Sequence, residues 1–537
     1  MKNVENFNVS MFEYFKIRSK QSNTNNSIWS FYFSTISRDQ FIKEVENFAG
    51  YLQSIGVEKG DNIVICLGNI PNAIVSFYAV NACGAIANIV HPLIPEDGLI
   101  EIENKCNPKA YIMFDEFMYK YKFLNNLNKK VIICSAKDYL FKLFAFFYGL
   151  YTRKNVKKIS LNENFIKYSS IKDYTLKKVD INGNDIAIYM HSSGSTGVPK
   201  TAMISNQAYN HLADNTLNLI GGKTEEKDTM LMVLPIFHTF GLGVCVHTFL
   251  SGGGRVLLIP LFKPALTSIY SKIAHITYMA GVPNMYKKML ECGFFKGKFL
   301  KNIKAAYCGG DRLPEYVKEL FNTTFEKSGS TLKISEGYGL TEAGICAVNV
   351  MNGYKNAKTV GRPSQGNEFI ILDDNYNILK SNEIGNIYIH SNALFNGYLG
   401  YNENPFVEIN NKEWFKTGDI GYLDEDGYLY FMDRQKRMIK ISGMNVYPQE
   451  IEDLVNTLDE VDYSCVVRIN RDNKVATKLY YVADKKYDSI KVEERIKNII
   501  STHLLKYSLP SEYERLEKIP LNQIGKVDFK ILQEKNN

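Results

Sequence analysis

Nothing in this chain spaces ligands for a structural metal or a disulfide framework. Its nine cysteines are an odd number and widely spread, with no CxxC pair and no close His/Cys grouping. Buried thiols in a reducing cytoplasm are therefore the expectation. The opening residues, MKNVENFNVSMFEYFKIRSK, contain no apolar signal core, so no secretory leader is expected. Charge is not one-sided either. Lys and Arg number 64 against 57 Asp and Glu, a surplus of 7 mixed along 537 residues. That balance leaves no nucleic-acid footprint, though it suits a small polyanionic substrate. Tryptophan is scarce, at two, and neither repeats nor low-complexity segments occur. With 45% hydrophobic and 23% charged residues the chain reads as globular, and its length allows about three or four folding units.

Long apolar runs are also missing. The most apolar stretch, YLFKLFAFFYGLY at 139–151, carries Lys142 and is too short to cross a bilayer. It reads as a core or lid helix. A peripheral contact with lipid is the alternative, encouraged by the basic TRKNVKK that follows.

What is present is strand–loop–helix alternation. IVICLG at 63–68 reads as a buried strand, and Pro71 opens a helix after it. KAYIMFD, KKVIICSAKD, DIAIYM, TMLMVLP, RVLLIP, HITYMAGVP and KAAYCGG are further strands, several ending in Gly or Pro. This grammar predicts an α/β fold with doubly wound sheets, whose functional loops follow the carboxyl ends of the strands. After about Asp433 the character changes. DRQKRMIK leads to a helix at PQEIEDLVNTL, a strand pair turning through Asp472-Asn473, and a final helix near VEERIKNIISTHLL. That makes a compact α+β unit of about 100 residues.

The densest chemical signal is IAIYMHSSGSTGVPKT at 186–201. Its glycines let backbone N–H groups turn inward as an anion nest, hydroxyls add neutral donors, and Lys200 adds a point charge for phosphate. A GxxxxGK[ST] phosphate loop is the rival, but Pro199 stands where that motif needs glycine. Further on come Tyr338-Gly339-Leu340-Thr341-Glu342; Trp414 to Asp419 before a DEDG hairpin turn; Asp433-Arg434-Gln435-Lys436 with Ser442-Gly443; and Gly525-Lys526-Val527-Asp528. An Asp reaching from such a turn into a cleft can accept both ribose hydroxyls.

These five motifs, in this order over nearly the whole chain, resemble the adenylate-forming superfamily of acyl-CoA synthetases, peptide-synthetase adenylation domains and firefly-type luciferases. The resemblance implies a multi-subdomain body at 1–434, with doubly wound sheets and a small β-barrel. A small mobile C-terminal domain at 437–537 would follow a hinge near 435–436. It implies that Ser192, Ser193, Gly194, Ser195, Thr196, Gly197 and Lys200 hold the ATP phosphates, that Thr341 contacts phosphate, and that Glu342 holds Mg²⁺. Tyr338 would stack on adenine beside Gly339, with Gly309, Gly310 and Asp311 as the opposite wall. Asp419 and Arg434 would bind ribose, and Lys526 would face the substrate carboxylate and α-phosphate. Lys436 stands at the hinge position, and Ser442-Gly443 would line a thiol tunnel for CoA or a carrier-protein phosphopantetheine.

LPIFH at 234–238 matches the family segment lining the acyl pocket. His238 lies near the carboxylate by that match; a buried structural histidine is the plainer reading. No acidic residue occurs between Leu231 and Leu250, in ITYMAGVPNMY or in AAYCGG, so a substrate ammonium would go unpaired. Phe237, Phe240, Val244, Met279 and Val282 point instead to an apolar acid, fatty or aromatic. Three departures stand out: His191 where Thr is common, Thr201 where Gly is common, and Asp433 where Gly is frequent. The expected function is ATP-dependent formation of acyl-AMP and transfer to CoA. The alternatives are a stand-alone enzyme loading a carrier protein, a luciferase-type oxidation and a non-catalytic binding homologue.

Overall fold

The computed structural model describes residues 7–20, 27–156, 162–192, 200–225, 227–349, 359–402, 404–441, 444–471, 474–520 and 527–536. Two large sheets form the body. The first has seven strands in the order Phe165–Lys167, Lys130–Cys134, Ala110–Phe114, Asn62–Cys66, Ile86–Ile89, Ile186–Ser192 and Lys200–Ser205. All pair in parallel except the last two, which run antiparallel on either side of the Ser/Gly loop. The second has nine strands, from Arg362–Pro363 through Gly344–Val348, Ser335–Leu340, Ala305–Cys308, Tyr278–Gly281, Thr229–Met232, Arg255–Leu258 and Ser27–Phe31 to Ser34–Ser37. It too is parallel at its centre and antiparallel at both ends.

Helices cover both faces of such sheets, so the central strands need apolar side chains on both sides. Asn62–Cys66, Ala110–Phe114, Thr229–Met232 and Tyr278–Gly281 are buried along their whole length. The helix Pro71–Ala82 starts with proline at its first turn and is buried all round. One apolar core joins the two sheets, holding Ile63 and Ile65 of the first with Met230 and Met232 of the second.

An antiparallel unit of five strands follows, where the sequence predicts a small barrel: Asn367–Leu372, Gly385–Ser391, Lys412–Leu423, Phe406–Ile409 and Leu429–Arg434. Asp424 Oδ1 holds the DEDG turn, accepting from the backbone N–H groups of Asp426 (3.0 Å) and Tyr428 (2.9 Å). From Ile439 onward the chain has its own sheets and its own apolar clusters. The expected strand pair is Val461–Arg471 with Lys474–Ala483; its turn, Asp472-Asn473, lies outside the described residues. The helix Ser489–His503 is not the last, because Phe529–Glu534 follows.

The apolar stretch after Tyr139 forms the helix Lys142–Val156, and it is not a core helix. Leu143, Phe144, Phe146, Phe147 and Leu150 are all exposed. Among the described residues no helix is long and apolar enough to cross a membrane.

The C-terminal residues meet the body through polar contacts. Lys287 pairs with Asp462 at 3.1 Å, and Arg312 pairs with Asp453. The helix Pro448–Val455 has no capping side chain of its own; instead Asp433 Oδ2 accepts the N–H of Gln449 at 2.9 Å. This gives a use to the Asp that departs from the family's usual glycine. Asp433→Ala is expected to cost about 1 kcal/mol in urea unfolding, the typical worth of a helix cap. Asp433→Asn, which keeps an acceptor, should cost clearly less. Equal losses would show that charge, rather than the capping bond, matters there.

Candidate functional site

The carboxyl ends of both large sheets and the edge of the antiparallel unit converge on one group of side chains. At its centre is Asp419, on Lys412–Leu423 and wholly buried. Its Oδ2 accepts the hydroxyl of Tyr338 at 2.6 Å, and its Oδ1 lies 3.3 Å from Arg434 Nε. Strand register brings the second pair together, since Asp419 lies directly opposite Arg434. The Asp419 carboxylate, together with burial, shapes both partners: it holds the Arg434 guanidinium above its ordinary value, and burial, ahead of the carboxylate, raises the Tyr338 phenol. Tyr338 packs between Phe369 and Phe431, each ring centroid 6.1 Å away.

A second group adjoins it. Glu342 Oε1 accepts the hydroxyl of Tyr398 at 2.7 Å, and its carbonyl accepts the N–H of Phe395 at 2.8 Å. Burial raises the Glu342 carboxyl. Lys200 stands over the rings of Tyr398 (4.7 Å) and Tyr401 (4.9 Å). The backbone explains the meeting: the 396–399 segment runs beside Lys200–Ser205, with Leu399 N–H donating to Thr201 and Asn396 N–H to Met203. Sequence reasoning missed Tyr398 and Tyr401. The available signal was the LFNGYLGY aromatic–glycine segment before the Trp414 motif.

Gly309, Gly310 and Asp311 follow the strand Ala305–Cys308, and Gly310 has a φ of 78°, which favours glycine. A Cβ on Gly309 would lie 3.3 Å from the Gly337 carbonyl and 3.4 Å from Phe240, so this wall and the Tyr338 strand are closely apposed. Gly339 packs against backbone as well: a Cβ there would meet the Gly344 carbonyl at 2.5 Å. The Thr341 carbonyl accepts the hydroxyl of Thr239 at 3.4 Å. Lys436 sits in a tight turn after Arg434, where Arg437 N–H bonds back to the Arg434 carbonyl at 2.8 Å. Ser193, Gly194, Ser195, Thr196, Gly197, Ser442, Gly443 and Lys526 lie outside the described residues, as does the side chain of Ser192.

The LPIFH segment leads from the strand Thr229–Met232 into a π-helix, Phe240–His247. Asn69, also missed from sequence, pins this exit: its side-chain amide donates to the Leu234 carbonyl at 3.0 Å, and its carbonyl accepts the N–H of Ile236 at 3.0 Å. Phe237 packs 4.3 Å from the ring of His91 and 4.9 Å from His238. Phe237, Phe240, Val244 and Val282 pack on the main core. Met279 does not join them. Strand alternation turns it to the opposite face, into a cluster with Leu231 and Leu257 against which Val282 also packs.

The two remaining departures from the family pattern are one interaction. His191 and Thr201 lie opposite each other across the hairpin, with His191 Nδ1 3.1 Å from Thr201 Oγ1. His191 Nε2 lies 2.6 Å from Asn88 Oδ1. Burial lowers its pKa to about 4.

The AMP-binding enzyme family model matches residues 19–399. A long-chain-fatty-acid–CoA ligase of Bacillus subtilis is 27% identical over 511 residues, covering 93% of this chain and 90% of its own. A probable 4-coumarate–CoA ligase of Dictyostelium discoideum is 29% identical over 467 residues, covering 84% of this chain and 81% of its own. ATP-bound MatB from Rhodopseudomonas palustris shares the fold, with a TM-score of 0.84 and 21% identity over 98% of this chain and 99% of that one.

The His191 pair generates a pH prediction. Between about 6.5 and about 4 the unfolded chain binds a proton at this position that the folded chain does not. Its contribution to stability is therefore complete above pH 6.5 and declines as pH falls. The stability difference between wild type and His191→Asn should shrink by on the order of 1 kcal/mol from pH 7 to pH 5, read from paired denaturation curves. A difference independent of pH would mean that the imidazole is not held neutral.

Proposed function

The chain belongs to the AMP-binding enzyme family, and from that premise we propose that it is an ATP-dependent acid–thiol ligase. A substrate carboxylate oxygen attacks the α-phosphorus of ATP and pyrophosphate leaves. The thiol sulfur of CoA then attacks the acyl carbonyl and AMP leaves. The observation that carries this reading is the adjacency of two groups: Asp419 with Tyr338 and Arg434, and Glu342 with Tyr398 and Lys200.

In this reading the Asp419 carboxylate accepts the ribose hydroxyls while Arg434 fixes its orientation. Tyr338 offers its ring to adenine, opposite Gly309 to Asp311. Lys200, Thr341 and the loop from Ser192 to Gly197 receive the phosphates. Glu342 is the residue that would hold Mg²⁺. That ion supplies positive charge against the phosphate oxygens. Lys526 belongs to the same scheme by the family resemblance, neutralising the approach of two anions. Residues 437–537 then form a domain that turns about 435–436, carrying Lys526 away and the Ser442-Gly443 loop inward.

An acid with an uncharged tail fits the wall of Phe237, Phe240, Val244 and Val282, with His238 beside it. CoA is the acceptor favoured by the relatives' names; a carrier-protein phosphopantetheine presents the same thiol and is the second reading. The nine free thiols fit a reducing cytoplasm.

Lys526→Ala is expected to abolish carboxylate-dependent pyrophosphate release while largely sparing thioester formation from supplied acyl-AMP. Equal loss of both would remove Lys526 from the first step. A panel of acids, run with CoA and carrier proteins as competing acceptors, should favour fatty or aromatic acids and CoA. Strong activity with an α-amino acid would overturn the apolar wall, and preferential loading of a carrier would overturn the acceptor.

A further inference from the structure

The helix Lys142–Val156 turns its apolar side chains away from the protein, and its seating shows that this orientation is built in. Tyr148 packs on the core and donates to Glu116 at 3.4 Å, while Thr152 is buried and donates to the Tyr148 carbonyl at 3.0 Å. With that side fixed inward, Phe146 and Phe147 are left 61% and 59% exposed. Large apolar side chains grouped on a surface call for a partner.

The patch continues beyond the helix. Phe33 lies 6.4 Å from Phe144 on one side and 5.9 Å from Tyr270 on the other, centroid to centroid. Past Tyr270 lies a groove of about 380 Å³, rimmed by the exposed Leu261, Leu266 and Ile273. Phe33 itself is held at a backbone cost. Tyr32 and Phe33 form the two-residue turn between Ser27–Phe31 and Ser34–Ser37, and both have positive φ, 44° and 69° respectively. Such turns favour Asn-Gly. An aromatic at the tip gains little for the fold, since Phe33 is 48% exposed.

We propose that this face, from the Lys142–Val156 helix across Phe33 to the groove, docks on an anionic lipid surface. The charge pattern selects that occupant. From Asp138 to Glu163 no acidic residue intervenes, while Lys142, Arg153, Lys154, Lys157 and Lys158 are basic. Between Asp228 and Glu291 acids are again absent, and Lys263 lines the groove. An apolar face with Lys142 on its helix and with Arg255 and Lys263 lining its groove gains from both acyl chains and acidic headgroups. A second copy placed face to face would bring the same cations, with no acid in the helix or the groove lining to pair them, together from both sides. The proposal does not depend on the enzymatic reading, because lipid binding is measured without turnover.

The test is co-sedimentation of the full chain with sucrose-loaded phosphatidylcholine vesicles, with and without about one-third phosphatidylserine. Wild type should bind the anionic vesicles and bind the neutral ones less. The double variant Phe146→Asp/Phe147→Asp should lose about tenfold or more in binding while turning over a short, water-soluble acid at the wild-type rate. Phe33→Asn separates lipid contact from folding: it should keep or raise the melting temperature, because Asn tolerates positive φ, and still weaken vesicle binding. Wild type remaining in the supernatant, or sedimenting no less after Phe146→Asp/Phe147→Asp, would overturn the proposal. So would a wild-type dimer, seen by sedimentation velocity, that this variant dissociates without any change in vesicle binding.

Discussion

A wholly buried carboxylate, Asp419, is the constraint around which the site is arranged. An unpaired charge at such a position would cost several kcal/mol. It is tolerated because the Tyr338 hydroxyl and the Arg434 guanidinium both reach it. These are charge-assisted contacts, the stronger kind. They also come from different sheets: Tyr338 from the third strand of the nine-stranded sheet, Asp419 and Arg434 from the antiparallel unit. The pairing that makes the charge affordable thus fixes the position of one layer against the other.

The same strand end faces two ways. Successive side chains of a strand point to opposite sides, so Arg434 turns to Asp419 while Asp433 turns to the start of Pro448–Val455. What joins the body to the C-terminal residues is otherwise polar. Burial raises the Asp453 carboxyl to about 6 beside Arg312, and Lys287 pairs with Asp462. Desolvation offsets much of the attraction in such pairs. None of the apolar clusters among the described residues bridges the two parts. A seam of capping bond and ion pairs, without a shared core, suits the rotation proposed about residues 435–436.

Much of this was legible in the sequence because buried parallel strands demand unbroken apolar runs. IVICLG, TMLMVLP and HITYMAGVP were readable for that reason, and the DEDG turn for its chemistry. Contacts made through long-range backbone pairing were not. Tyr398 reaches Lys200 because two strand segments about 200 residues apart bridge at Ala202 and Tyr398. Nothing local to either announces it. Which sheet face Met279 takes was not legible either, since a shift of one residue exchanges one face for the other. His191 and Thr201 looked like separate departures until the hairpin register set them opposite. The helix after Tyr139 is apolar on most of its sides, so its sequence alone did not say which side faces the core.

The outer groove and the proposed acyl wall share a support. Asn69 donates to the Leu234 carbonyl at 3.0 Å and to the Ile259 carbonyl at 3.4 Å. Leu234 begins the segment leading to Phe237 and His238, while Ile259 lines the groove beside Leu261 and Leu266. One buried amide therefore ties the exits of two adjacent strands, Thr229–Met232 and Arg255–Leu258. Acid-free sequence on both strands and on the loops beyond them serves two ends: no carboxylate repels a substrate carboxylate inside, and none repels an acidic headgroup outside. An acid with a long apolar tail dissolves poorly in water and partitions into membranes. A face docked on lipid, braced on the same residue as the acyl wall, would bring the enzyme to where such an acid is concentrated.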